Sequence, residues 1–255
     1  MERKTLTRIS QKLHLSTVLV LTMLVAIWWQ ISRSYSILVM PSPGEVWTAL
    51  ESITLSGALW QHVAASLARI SLGFSASILA AMLLCSVAVT HRVASDVVKD
   101  LITILQSTSV FVWIVLSLIW FGLSDMATIF TTFLICLPVL ANNLFEGIQS
   151  VDPKLLQMGT VFKLSRMEKF KSIMIPSCLP FLIAGMRVAF GLALKVSVVA
   201  EMFGVSSGVG YIMNYSRELL ETDRVFAWAV VMVVIMMVMD KLVFESLARK
   251  VSLWR

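Results

Sequence analysis

MATIFTTFLICLPVLANNLFEGI (126–148), QSVDPKLLQMGTVFKLSRMEKFKSIMIPS (149–177) and CLPFLIAGMRVAFGLALKVSVVAEMF (178–203) follow one another without a break. The two outer stretches are apolar and about as long as the ~20 residues that cross a bilayer core of roughly 30 Å. The middle stretch is polar but patterned: Leu155, Leu156, Val161, Leu164, Phe170 and Ile173 recur at roughly helical spacing. Asp152-Pro153 is a helix-start signal and Pro176 a stop, so one or two short amphipathic helices are expected between two membrane spans. A structured loop in an otherwise minimal membrane chain reads as a docking site; the plainer alternative is a helix lying on the membrane surface.

The same block pattern extends in both directions. Six spans emerge, at about 15–32, 63–89, 100–122, 126–148, 178–203 and 225–247. The chain reads as one all-α, polytopic transmembrane domain over residues 1–255. Composition agrees: 58% of residues are hydrophobic, 14% are charged, and mean hydropathy is +0.87. A soluble domain of this size needs more charged surface. The apolar run from Leu15 to Ile31 ends in Trp28, Trp29 and Gln30 without a small-residue cleavage pattern, so it reads as a retained first span rather than a signal peptide.

Charge sets an expected orientation. The amino-terminal segment, the 89–100 and 149–177 connections and the C-terminal end carry fifteen Lys and Arg residues; the opposite side carries only Arg33, Arg217 and Arg224. By the positive-inside rule both termini are expected in the cytoplasm. Because the basic residues are dispersed over four segments, the net charge of +6 does not indicate nucleic acid. Cys85, Cys136 and Cys178 lie in or beside apolar segments, which indicates neither a disulfide framework nor a metal site. His14, His62 and His91 are scattered, and no catalytic constellation or cofactor motif is visible, so a membrane-embedded enzyme is not indicated.

Several motifs now converge. Leu38-Val39-Met40-Pro41-Ser42-Pro43 precedes Glu45-Val46-Trp47, and Leu59-Trp60-Gln61-His62-Val63-Ala64-Ala65-Ser66-Leu67 runs on through Arg69 and Gly73. Trp120-Phe121-Gly122-Leu123, Ala200-Glu201-Met202, Gly208-Val209-Gly210-Tyr211 and Thr222-Asp223 follow in order. Over residues 38–255 the chain resembles the permeases of binding-protein-dependent ABC importers, in particular the taurine, aliphatic sulfonate and nitrate branch. That family carries a loop motif of Glu-Ala-Ala, three residues, Gly, nine residues, then Ile-x-Leu-Pro. Here the frame falls on Gln157-Met158-Gly159, Lys163 and Ile173-Met174-Ile175-Pro176. The spacing and the Ile-x-Ile-Pro close hold, while the Glu, both Ala and the Gly are replaced.

The resemblance implies a type I importer fold and a permease without bond chemistry of its own. It further implies an inner-membrane assembly of two permease copies, two cytoplasmic ATPase subunits and an external solute-binding protein. Loop residues Gln157, Met158, Gly159, Lys163, Ser165, Arg166, Phe170, Ile173 and Pro176 would then meet the ATPase. The implied cargo is a small anion such as a sulfonate, taurine or nitrate. Relatives of the same class also carry uncharged or cationic vitamin precursors, and a stand-alone channel or carrier would not need the patterned loop. Gln106-Ser107-Thr108-Ser109-Val110 replaces the proline-rich entry that relatives have in the third span, so a straighter helix is expected there.

Charges in the bilayer centre cost at least ~2.5–3.5 kcal/mol on insertion scales and need a reason. Arg69 is expected to snorkel at the outer end of the second span, and Asp240 and Lys241 to reach the interface from the sixth. Arg187 reads as a contact between helices or with headgroups. Glu201, by resemblance, belongs to an outer gate region. Lys195 is well inside the fifth span: it either snorkels, pairs with Glu201, or lines the pathway. Lys195, Glu201 and Arg187 are therefore the candidate pathway residues.

Overall fold

The computed structural model describes residues 19, 20, 22–89 and 91–252, and every regular element among them is helical. In chain order these are α1 (Thr22–Ser32), α2 (Pro43–Leu55), α3 (Ala58–Ala88), α4 (Arg92–Ser107), α5 (Val110–Phe121) and α6 (Asp125–Gln149). Then come α7 (Pro153–Val161), α8 (Arg166–Lys169), a π-helical turn (Phe170–Met174), α9 (Ile175–Gly204) and α10 (Val209–Glu218). A helix α11 (Thr222–Met239), a second π turn (Asp240–Phe244) and α12 (Glu245–Ser252) close the order.

Four stretches are long and apolar enough to cross a membrane: Ala58–Ala88, Asp125–Gln149, Met167–Gly204 and Thr222–Arg249. α4 and α5 qualify together as a fifth, but they meet at a 94° bend. This corrects the expectation of a straighter third span. Without a proline, the break comes from polar side chains: the hydroxyls of Ser107 and Thr108 both donate to the Ile104 carbonyl, at 3.0 and 2.9 Å. Such hydroxyls offer the carbonyl an alternative to the next helical amide, and Thr108 turns to extended backbone (φ −81°, ψ 133°). Of the expected first span, residues 15–18 and 21 lie outside the described residues; the rest contains α1.

By internal contacts the chain divides into two units, Met1–Leu59 with Met213–Val230, and Trp60–Ile212 with Val231–Arg255. In the first, Trp28 donates its indole N–H to the Pro41 carbonyl at 3.0 Å and stacks on Phe226 with ring centres 6.0 Å apart. Ser42 and Glu45 form a reciprocal capping box that starts α2, with Pro43 in its first turn.

The second unit is built on α6 and α9, which pack against each other along much of their length. Lipid tails are as apolar as leucine, so spans associate through close packing rather than through expulsion of water. Small residues allow it: Gly147 of α6 lies against Phe181 and Cys178, and Gly185 of α9 against Asn143. Leu140, Ala141, Ala189 and Ala193 are fully buried between them. Phe74, Phe190 and Phe244 form a run of ring contacts at 5.6 and 5.5 Å that ties α3, α9 and the second π turn together.

Candidate functional site

At one end of α3 and α9 lies a buried polar network. Glu201 is fully buried; its carboxylate accepts from the Ser66 hydroxyl (2.8 Å), the Arg69 guanidinium (3.1 Å) and the Gly210 amide (2.9 Å). Arg69 is 5% exposed and also donates to Asp125 (2.8 Å) and to the Ser207 carbonyl and hydroxyl (2.9 and 2.6 Å). The Val209 amide donates to Ser66 Oγ and the Gly208 amide to His62 Nδ1. Arg69 therefore does not snorkel. Carboxylates and carbonyls take up its donors, the condition under which a buried charge is tolerated.

The loop between α9 and α10 is pinned by this network, and its glycines permit it. Gly208 has φ +107°, and a Cβ there would collide with Glu201 and Arg69. Glycine adopts that backbone at no steric cost. The quoted motifs Ala200-Glu201-Met202 and Gly208-Val209-Gly210 thus meet in space, nine residues apart in the chain but joined by one carboxylate. Ser66 stands 143 positions from Val209 and Arg69 138 from Ser207, so no local signal marked their part in the network.

The second feature is the exposed face of α9. Lys195 lies nine residues before Gly204, about 14 Å from the helix end at 1.5 Å per residue, and is exposed. Among the described residues no ion pair joins it to Glu201, whose acidic oxygens face Ser66, Arg69 and Gly210. Arg187, twelve residues after Ile175, makes a two-pronged ion pair with Asp240, with Nη2–Oδ2 at 2.6 Å. Both side chains keep exposure, 58% for Arg187 and 28% for Asp240. Asp240 opens the second π turn, whose extra residue per turn lets it reach Arg187 while Phe244 stays buried. Asp240 thus reaches a neighbouring helix rather than the interface. The three candidate pathway residues end in three environments: Glu201 in a buried network, Arg187 neutralised, Lys195 exposed.

The third feature is the 149–177 connection. Asp152 caps α7 by accepting from the Lys154 amide at 2.8 Å, with Pro153 at the first position. Gln157, Met158 and Gly159 lie in α7, and Gly159 is buried where a Cβ would stand 3.1 Å from Ile173 Cδ1 of the π turn. The helix ends in a Schellman motif: the Leu164 amide donates to the Gly159 carbonyl and the Lys163 amide to that of Thr160. Lys163 holds the left-handed position, φ +53°, where the related loop motif has glycine. Ser165 and Glu168 then cap each other at the start of α8, whose first residue is Arg166. The Ser165 amide and hydroxyl hold the Glu168 carboxyl below the usual glutamate range. Phe170 and Ile173 fall in the π turn, and Pro176 is the second residue of α9. Val161 and Phe162 stand out from the loop, 80% and 72% exposed.

Residues 73–252 match the family described as Binding-protein-dependent transport system inner membrane component. The chain is 32% identical over 229 residues to the aliphatic sulfonates transport permease protein SsuC of Escherichia coli (strain K12), covering 89% of this chain and 86% of that protein. It is 25% identical to the taurine transport system permease protein TauC of the same organism, over 92% of this chain and 87% of that one. Among solved structures it resembles an amino acid ABC transporter chain (TM-score 0.61, 16% identity, 80% of this chain and 96% of that one). It is also similar to a chain of the methionine ABC transporter MetNI in an inward-facing conformation (TM-score 0.62, 16% identity, 77% and 95% coverage). The fold is that of the type I ABC importer permeases. The chain belongs to the binding-protein-dependent inner membrane components: it is a multi-pass permease subunit of an ABC importer, and ATPase activity lies in separate subunits.

Proposed function

We propose that this permease translocates a small sulfonate-like anion, that Lys195 contacts it in the membrane, and that the 149–177 loop couples the movement to ATP hydrolysis. The observation that carries the first part is the α9 face. Lys195 is exposed at membrane depth, and the Arg187–Asp240 pair on the same unit also keeps exposure. Charges facing acyl chains are costly, so this face meets water or protein rather than lipid. With Arg187 neutralised by Asp240, Lys195 leaves a local positive excess. The relatives named for aliphatic sulfonates and taurine support an anionic cargo. The contact is weak by design, since a tight site traps a substrate that must leave.

The loop supports coupling because it projects apolar groups, Val161 and Phe162 most and Met167 beside them, from a capped and internally bonded platform. An exposed apolar patch on a polar loop suits a protein partner. The assembly is two copies of this chain with two ATPase subunits and an external binding protein, with both termini in the cytoplasm.

Lys195→Met keeps the length of the side chain and removes its charge. At equal membrane abundance it lowers uptake of a sulfonate by roughly tenfold, the factor equivalent to losing ~1.4 kcal/mol of charge-assisted contact. Lys195→Arg retains most of the uptake. Unchanged sulfonate uptake by Lys195→Met reduces this lysine to a structural residue.

A further inference from the structure

α4 and α5 meet at 94°, and Thr108 and Ser109 between them have extended backbone. The depth of this break follows from its neighbours. α5 joins α6 through the short turn 122–124 and runs antiparallel to it, with Thr131 of α6 donating its hydroxyl to Ser117 of α5 at 2.8 Å. The twelve residues of α5 rise about 18 Å, half of the roughly 37 Å that the 25 residues of α6 rise. The break therefore falls near the middle of α6, inside the hydrocarbon layer rather than at its surface.

Backbone without helical partners is tolerated at that depth only where protein covers it or water reaches it. Gln106, Ser107 and Ser109 are exposed. The Gln106 side chain and the Ser109, Val110 and Phe111 amides have no hydrogen-bond partner among the described residues, and the Ser109 side chain does not cap α5. A run of four polar side chains and an uncapped helix start need many hydrogen-bonding partners at once, which water supplies and acyl chains cannot. Lys195 stands at the same level. α9 also runs antiparallel to α6, since Gly147 lies against Phe181 and Gly185 against Asn143, so α5 and α9 run the same way. They meet where a Cβ on Gly204 would stand 3.0 Å from Leu118 Cδ2. Ser109 comes nine residues before Leu118 and Lys195 nine before Gly204, about 14 Å along each helix.

We propose that the α4–α5 break lines the water-filled translocation pathway at the level of Lys195, with Gln106, Ser107 and Ser109 as pathway residues that the cargo passes. A straight helix there would satisfy its own amides; the bend adds backbone donors to the wall. Hydroxyl, carboxamide and backbone N–H groups offer a passing anion hydrogen bonds without a fixed charge, so they ease its passage without holding it. The anionic cargo rests on the proposed reading of the α9 face. The exposure of the break to water stands on the break alone and is tested separately.

Cys85→Ala, Cys136→Ala and Cys178→Ala remove the native thiols, and single cysteines are added to that background in the full importer, held in nanodiscs with both faces open. The probe is 2-sulfonatoethyl methanethiosulfonate, a charged sulfonate that attacks ionised thiols and so reports water. Ser107→Cys and Ser109→Cys are expected to react many-fold faster than Leu79→Cys, which stands exposed on the apolar face of α3. In proteoliposomes, the modified Ser109→Cys importer should lose ATP-driven sulfonate uptake several-fold and regain it on reduction. Reaction of Ser109→Cys no faster than that of Leu79→Cys overturns the proposal. Rapid reaction that leaves uptake unchanged also overturns it, because the water then lies off the route. Disulfide formation between Ser109→Cys chains of two copies, without reaction with the probe, assigns the break to a subunit contact and overturns it as well. A blocked Ser109→Cys importer beside unchanged uptake by Lys195→Met leaves the break standing and removes only the lysine.

Discussion

Lys163 shows how a single residue can keep a motif's geometry while losing its chemistry. The Schellman turn needs a left-handed residue after α7, and a side chain there costs about 1–2 kcal/mol against glycine. Lys163→Gly relieves that cost but loosens the unfolded chain. The expected net effect is a gain of up to about 1 kcal/mol, read as slower hydrogen exchange at the Leu164 amide. Faster exchange in the variant would show that the lysine side chain stabilises the turn. Glu201 is the opposite case, a residue whose loss strands others. Glu201→Ala leaves Arg69 buried beside unpaired Ser66 and Gly210 donors, and removing one partner of a buried pair costs about 3–5 kcal/mol. Thermal unfolding in detergent should fall steeply for Glu201→Ala and less for Glu201→Gln, which keeps an acceptor for Gly210. An Ala variant as stable as the parent would show that the network is dispensable. The partners of Glu201 were not legible beforehand: Glu201 and Arg69 are 132 positions apart, and no local pattern links them.

At the scale of elements, the loop was the most legible part of the chain. Asp152-Pro153 marks the start of α7, because capping chemistry is local; Pro176, read as a stop, instead falls in the first turn of α9, within a helical stretch that runs from Met167 to Gly204, because proline is tolerated in a helix's first turn. The Ser165–Glu168 box adds a pH dependence. Its bonds go to the ionised carboxylate, so the folded value lies below the unfolded one. Its contribution is therefore present above the ordinary glutamate range and lost as pH falls through the lowered Glu168 value. Amide protection at Glu168 and Lys169 should fall on acidification, and Ser165→Ala should remove most of that pH dependence. Protection independent of pH in the parent would show that the box does not form in solution. The α4–α5 break was less legible. Hydroxyls at Ser107 and Thr108 occur in straight membrane helices too, and only their shared use of the Ile104 carbonyl decided the bend.

For the whole molecule, topology and partnership can be read from the same labels. Ser36→Cys and Ser206→Cys should react with a membrane-impermeant maleimide added from outside, whereas Phe162→Cys should not. Phe162 is preferred to Ser165 because its side chain projects freely, whereas the Ser165 side chain caps α8. The same Phe162→Cys should crosslink to a co-expressed ATPase subunit; external labelling of it would invert the orientation, and failure to crosslink beside a working control would sink the docking site. Contiguous residues are enough for the membrane class and the family, because bilayer thickness and the exclusion of charge from hydrocarbon act on short stretches of chain. Tertiary structure alone decided which charges are satisfied. Arg69 finds Glu201, Asp125 and Ser207, Arg187 finds Asp240 through a π turn, and Lys195 is left on an exposed face. A charge's burial and partners are fixed by helices that meet only after the chain has packed, and helical periodicity within one span cannot specify what the next span brings to it.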